Sequence, residues 1–226
     1  MNRSKRHRQN CELVDKAKVY SLDEGLKLLK KAKPAKFDET VELAIHLGID
    51  VKKSEQMVRG AISLPRGIGR ELRVICFAKG DKAVEAKSAG AMEVGDEDLA
   101  KKVEGGWTDF DVAVATPDMM KIVGRLGKVL GPQGKMPSPK SGTVTNDVTT
   151  AVREFKAGKV EFRVDAGGSL HAPVGKRSFE EAALRENVSA FIDYVRGLKP
   201  ASSKGNYILK TVLSSTMGPG IPLDLR

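Results

Sequence analysis

The apolar residues of this chain change their spacing twice, and that double change limits the architectures open to it. In "FDETVELAIHLGID" the residues Val41, Leu43, Ile45, Leu47 and Ile49 alternate with Thr40, Glu42, Ala44 and His46. This is the pattern of a strand with one face in a core and the other toward water. After Pro65 the runs "LRVICFA" and "DVAVAT" are almost continuously apolar, as strands are when a parallel sheet is covered on both faces. Alternation returns in "KVEFRVDAGGSLHAPVG", with Val160, Phe162 and Val164 on one face and "DAGG" as a hairpin turn. The order alternating, continuous, alternating predicts a mixed α/β and α+β protein of two domains. A discontinuous α+β domain takes residues 1–66 and 160–226, and a smaller α/β domain is inserted at 67–159. The Gly-bearing junctions "PRGIGR" and "KAGK" are the expected crossings.

Helices are signalled between these strands. "SLDEGLKLLKKAK" has Ser21 and Glu24 as a capping box, a face of Leu22, Leu26 and Leu29, and Pro34 beyond its end. The segments "KAVEAKSAGA", "DEDLAKKVEG" and "NDVTTAVREFKAG" read as helices of the inserted domain. So does "TPDMMKIVGRLGKVL", expected as one helix capped by Thr116, with Pro117 in its first turn and two glycines for close packing. "QMVRGAISL" reads as a second strand. A helix capped by Ser178 should run through "FIDYVRGLK", and "NYILKTVLS" is expected as the last strand.

Charge supplies the first functional clue. The formal net charge is +10, and residues 1–36 hold eleven Lys or Arg against four Asp or Glu, so 11 − 4 = +7 comes from that segment alone. Such an end either raises the local concentration of polyanions, of which nucleic acid is the commonest in the cytoplasm, or serves as a solubilising tail. No apolar run approaches the roughly 18 residues that would span a bilayer, and no apolar segment follows the basic N-terminus as a signal peptide requires. A cytoplasmic protein with no membrane partner is expected. Cys11 and Cys76 stand far apart, which fits a reducing compartment. No zinc site is expected, because His7, His46 and His171 are read as lacking a short ligand spacing to either cysteine.

The loops exclude several chemistries. "GPQGKMPSPKSG" fails as a nucleotide-binding loop, since Gly131 has Met136 five positions on and Met136 follows Gly134-Lys135 where a hydroxyl residue is needed. "KGDKAVEA" lacks the glycine triplet of a dinucleotide turn. "IVGRLGKVL" imitates the GXXG loop of a KH domain, but Gly131-Pro132 would cut off the second helix. No nucleophile elbow or metal-ligand cluster marks an active site, so no enzyme, cofactor or metal is expected. His171 reads as a structural hydrogen-bonding residue, His46 as a strand residue open to solvent or RNA, and Trp107 as a lid packed on the inserted domain.

Two stretches look suited to RNA. "KPAKFDETVE" sets Phe37 beside Lys36 at the start of a strand whose polar face carries Thr40 and Glu42. "SSTMGPG" offers hydroxyls, Met217 and an uncrowded backbone, groups that can bond phosphates and 2′-OH groups or pack on a ribose. A strand that merely ends in a turn would carry the same residues.

Along nearly its whole length the chain resembles the bacterial-type large-subunit ribosomal protein L-one family. The matching residues include "KFDETVE" (36–42), "LGID" (47–50), "VRGAISLPRGIG" (58–69), "ATPDMM" (115–120), "GPQGKMPSPKSGTV" (131–144), "GKVEFR" (158–163), "HAPVGK" (171–176) and "STMGPG" (215–220). The resemblance implies a discontinuous first domain with a Rossmann-like inserted one. It also implies binding to large-subunit rRNA at the mobile stalk beside the tRNA exit site, help in releasing deacylated tRNA, and repression of the protein's own mRNA through its leader. The implied partners are the ribosome, rRNA, exit-site tRNA and that mRNA, with a monomer when free. The implied RNA-binding residues are Lys36, Phe37, Thr40 and Glu42 on one segment and Ser215, Thr216, Met217 and Gly218 on the other, with Arg163, Asp165 and His171 nearby. Two positions depart from the family pattern: Ala166, where a lysine is common, and Lys135, where an apolar residue is usual. The 131–142 loop then faces either RNA or the interdomain cleft. A nonspecific basic nucleic-acid binder is the alternative.

Overall fold

The computed structural model describes residues 4–15 and 17–224. The chain divides into two compact units, one formed by Met1–Gly69 with Val160–Arg226 and the other by Arg70–Lys159.

The basic N-terminus is not merely a tail. Helix α1, Lys5–Glu12, begins at Ser4, whose side chain accepts from the His7 N–H. Its one buried residue, Asn10, exchanges two hydrogen bonds with the Lys33 backbone, at 2.8 and 3.0 Å. Helix α2, Leu22–Lys31, has the expected capping box, acids in its first turn and lysines in its last, so caps and helix dipole agree. Strand β1, Thr40–Leu47, alternates buried and open positions as its sequence demands. Strand β2, Arg59–Ser63, follows.

In the Arg70–Lys159 unit the continuous apolar runs become strands buried on both faces. These are β3, Val74–Phe77, and later β5, Val112–Ala115, which pair in parallel. Between them lie helix α3, Asp81–Ser88, strand β4, Glu93–Gly95, and helix α4, Glu97–Glu104. The sheet order is β4-β3-β5. Successive β3 residues serve opposite cores: Ile75 and Phe77 join Leu99, Val103 and Phe110, while Val74 and Cys76 join Val114, Val152 and Phe155.

The segment after β5 corrects one expectation. Residues 117–130 do not form a single helix. They break into a 3-10 turn, helix α5 (Met120–Val123), a second 3-10 turn and helix α6 (Gly127–Leu130). Thr116 starts the segment but its side chain makes no capping bond. The glycines do not serve close packing either, because a Cβ added at Gly124 or Gly127 would meet nothing within 4 Å. Without side chains they weaken the helix they interrupt. Helix α7, Val148–Lys156, is capped by Asp147, and Gly158 follows its end at φ 102°.

The chain returns as strand β6, Lys159–Arg163, which pairs with β2 in a two-stranded sheet, and strand β7, Ser169–Lys176. Helix α8, Glu181–Gly197, begins at Glu180 rather than at Ser178. The Ser178 N–H and hydroxyl instead donate to Asp38 at 3.1 and 2.8 Å. Strand β8, Ile208–Ser215, is not the last, since β9, Ile221–Leu223, pairs beside it. The main sheet has the order β7-β1-β8-β9, antiparallel throughout. Its alternation buries Val41, Leu43, Ile45 and Leu47 and leaves Glu42 and His46 exposed.

Candidate nucleic-acid interface

The central strand of the main sheet positions the candidate residues. β1 runs antiparallel to β8, so the start of one lies beside the end of the other: Val41 pairs with Ser215 and Glu42 with Ser214. This brings residues 36–42 to residues 215–218, with Thr40 and Thr216 176 positions apart in the sequence.

The joint is closed by hydrogen bonds. Thr216 N–H donates to Thr40 O at 3.0 Å, and Thr40 N–H donates to Thr216 Oγ1 at 3.0 Å. The Thr216 hydroxyl also reaches Thr40 O at 3.3 Å. Lys176 Nζ donates to Thr40 Oγ1 at 2.9 Å, adding a cation from the β7 edge. Phe37 and Met217 are 55% and 49% exposed, so both side chains are open to a partner. Lys36 and Glu42 are exposed as well.

Ser215 is placed differently from the rest. It is buried, and its hydroxyl donates to Glu39 at 2.6 Å, so it supports the joint from within instead of facing a ligand. Gly218 donates its N–H to Ser215 O at 3.0 Å, and a Cβ there would collide with Ser215 Oγ. Glycine is needed at this turn.

Sequence reasoning missed Glu39. Its carboxylate is 1% exposed and accepts from Ala35 N–H at 2.6 Å, Ser215 Oγ at 2.6 Å, Met217 N–H at 3.2 Å and Arg6 at 3.4 Å. Burial alone would raise its pKa. The hydrogen bonds from Ser215, Ala35 and Met217, with the nearby charge of Arg177, outweigh that and hold it below the ordinary carboxylate value.

Asp165 and His171 form a second cluster. His171 pairs with Ala44, four positions along β1 from Thr40 and so about 13 Å away by strand rise. Asp165 accepts from Gly167 N–H and Ser169 N–H, both at 2.8 Å, and its carboxylate lies 3.9 Å from His171 Nε2. Its pKa is lowered, first by the Ser169 backbone bond, then by Gly167 and by His171 and His46. The turn is made possible by Gly168 at φ 79°. His46, whose Nδ1 is 3.2 Å from Ser169 Oγ, belongs to this cluster. Arg163 does not share the sheet: it ends β6, exposed, in the two-stranded sheet.

The other singled-out residues are accounted for locally. Cys11 Sγ and His7 Nε2 stand 3.4 Å apart, one helical turn from each other, so the two do have a short spacing that sequence reasoning overlooked. Among the described residues no group of three or more His, Cys, Asp or Glu could hold a metal ion. Trp107 is partly buried against the core and tilted on Phe110 at 5.6 Å. Lys135 resolves its departure from the apolar pattern: its ammonium lies 5.0 Å from the Phe110 ring centroid and donates to Thr108 O at 2.9 Å. At the end of the 131–142 loop, Ser138 and Ser141 bond each other and Thr143 just beyond it. No helix among the described residues is long and apolar enough to cross a membrane.

Comparison with known proteins shows the family. The model of the Ribosomal protein L1p/L10e family matches residues 29–219. The chain is 58% identical over 222 residues to the large ribosomal subunit protein uL1 of Thermosipho melanesiensis, covering 98% of this chain and 96% of that one. The protein of the same name from Fervidobacterium nodosum is 58% identical over 224 residues, covering 99% and 95%. That of Protochlamydia amoebophila is 53% identical over 223 residues, covering 99% and 94%.

Proposed function

The chain belongs to the ribosomal protein L1p/L10e family, and from that premise we propose how it acts as a structural constituent of the large ribosomal subunit. It binds large-subunit rRNA at the mobile stalk beside the tRNA exit site. From there it assists the departure of deacylated tRNA, and it represses its own synthesis by binding the leader of its mRNA. The RNA surface consists of Lys36, Phe37, Thr40 and Glu42 with Thr216, Met217 and Gly218, supported by Ser215. Asp165 and His171 extend it along the sheet, and Arg163 contributes from the neighbouring strand pair.

The observation that carries this reading is the Thr40–Thr216 joint with exposed Phe37 and Met217 on the two segments it ties together. Hydroxyls and main-chain groups suit 2′-OH and phosphate contacts, while an aromatic ring and a thioether suit base and ribose faces. Glu42 argues for recognition by shape. A carboxylate on the face repels phosphates unless a particular donor, such as a 2′-OH or a base amino group, meets it.

The test is binding of the purified protein to a stalk rRNA fragment and to an unrelated duplex RNA over a salt series. Stalk-selective binding that persists at ~0.2 M salt supports the reading. The net charge of +10 favours a second reading, a nonspecific basic binder. That reading predicts equal binding to both RNAs, falling together as salt rises.

A further inference from the structure

We propose that Glu39 is the positioning residue of the RNA surface: its buried carboxylate holds the turn that presents Lys36 and Phe37 and the turn that presents Thr216 and Met217, one oxygen to each, without touching RNA itself. This rests on the reading of that surface as RNA-binding.

The division of labour between the oxygens is visible in the bonds. Oε1 accepts from Ala35 N–H at 2.6 Å, which closes the chain between Ala35 and Glu39 into a loop, and Lys36, Phe37 and Asp38 all project to solvent from it. Oε2 accepts from Ser215 Oγ at 2.6 Å and Met217 N–H at 3.2 Å. The Gly218 N–H to Ser215 O bond at 3.0 Å then turns the chain so that Thr216 and Met217 are exposed. Arg6 reaches Oε1 from α1 at 3.4 Å, and the Glu39 carbonyl accepts from Arg177 N–H at 2.8 Å. Four separate stretches of chain therefore meet at one residue.

Chemistry makes carboxylate the suitable group. The donors are main-chain N–H groups, a hydroxyl and the Arg6 guanidinium, so the hub must be acceptor-only at both atoms. Glutamine has the same length, but its amide NH₂ would face a donor on one arm. Aspartate is one methylene shorter and cannot keep both reaches. Because Glu39 is buried and anionic, its effect on RNA affinity comes through geometry, the preorganisation that lowers the cost of ordering two loops on binding.

The decisive experiment compares wild type and Glu39→Gln in the full chain, with the stalk rRNA fragment as probe, over a salt series at temperatures where both are folded. The expected result is an affinity about tenfold or more weaker, with the slope of log affinity against log salt unchanged, since no phosphate contact is removed. Amide exchange should rise at Ala35 and Met217 and stay unchanged in the β3–β5 sheet. Wild-type affinity in folded Glu39→Gln, or an altered salt slope, overturns the inference. If Glu39→Gln does not fold, Ser215→Ala decides, because it removes one donor from Oε2 alone. A loss of about threefold or more at constant slope is then expected, and unchanged affinity overturns the inference. Failure of the wild type to prefer the stalk RNA would instead overturn the functional reading beneath it.

Discussion

Thr216 and Thr40 lock to each other across the ends of two antiparallel strands: each donates its N–H to an oxygen of the other at 3.0 Å, and the Thr216 hydroxyl is at once an acceptor from Thr40 N–H and a donor to Thr40 O. Thr216→Val keeps the shape and removes the hydroxyl, so Thr40 N–H loses its partner. The stability cost should be about 1 kcal/mol, and RNA affinity should fall by roughly 1–3 kcal/mol as the joint loosens. Thr216→Ser restores both bonds and should restore affinity. Isothermal titration with the stalk fragment, paired with urea unfolding, checks both, and full affinity in the valine variant would remove this joint from the surface.

Met217→Ala and Phe37→Ala should behave oppositely in the two assays. Both side chains are about half exposed in the free protein, so melting temperatures should be nearly unchanged. Binding should weaken by roughly 1–3 kcal/mol, the scale of losing a well-packed contact in a complex. A melting shift without a binding change would mean that these residues pack for the protein's own sake.

What could be read from the sequence was whatever repeats. The alternation of Val41 to Leu47 and the unbroken "VICF" and "VAVA" runs are periodic, and periodicity reports which faces a strand buries. The candidate surface came from the stretches "KFDETVE" and "SSTMGPG" and the resemblance they carry, and the structure adds that Phe37 and Met217 are exposed. Glu39 was not legible, because a single acid in a polar stretch looks the same whether it is solvated or gathers four donors. Nor was β9, since "IPL" is three residues with a proline and becomes a strand only because β8 offers an edge. Ser178 had the right spacing for a cap and lost that role to Asp38, a partner 140 residues away. The 117–130 break follows from Gly124 and Gly127, which the sequence suggests as close-packing positions but which face open space.

Lys135 offers a test of the loop. Its ammonium lies over the Phe110 ring and donates to the Thr108 carbonyl, so Lys135→Met exchanges a hydrogen bond and a cation–π contact for apolar cover. Stability should change by less than about 1.5 kcal/mol, and affinity for the stalk fragment should be unaltered. A clear loss of affinity with normal unfolding would place this lysine on an RNA contact.

The two cysteines should react at very different rates. Cys76 is buried in β3, and burial pushes its thiol up to about 12, whereas Cys11 is partly exposed beside His7. Thiolate is the reacting form. An aromatic disulfide reagent should therefore titrate one thiol per chain in the native protein and two in denaturant. Fast labelling of both under native conditions would show that the inserted sheet opens.

The last prediction concerns acid. Glu39 is held below its ordinary value of 4.5 despite burial, by Ser215, Ala35, Met217 and the charge of Arg177, with Arg6 also at its carboxylate. A group whose folded pKa is depressed stabilises the fold fully above its unfolded pKa and loses that contribution as pH falls through the folded value. Stability from Glu39 should thus be constant above about pH 5 and decline on acidification below 4.5. Glu39→Gln removes the titration, and its unfolding midpoint in urea should lie below the wild type's at pH 6 and converge on it as pH falls below 4.5 through the depressed folded value. A gap of constant size across that range would mean that the glutamine is destabilising for its shape, and that the charge on Glu39 is not what draws the two turns together.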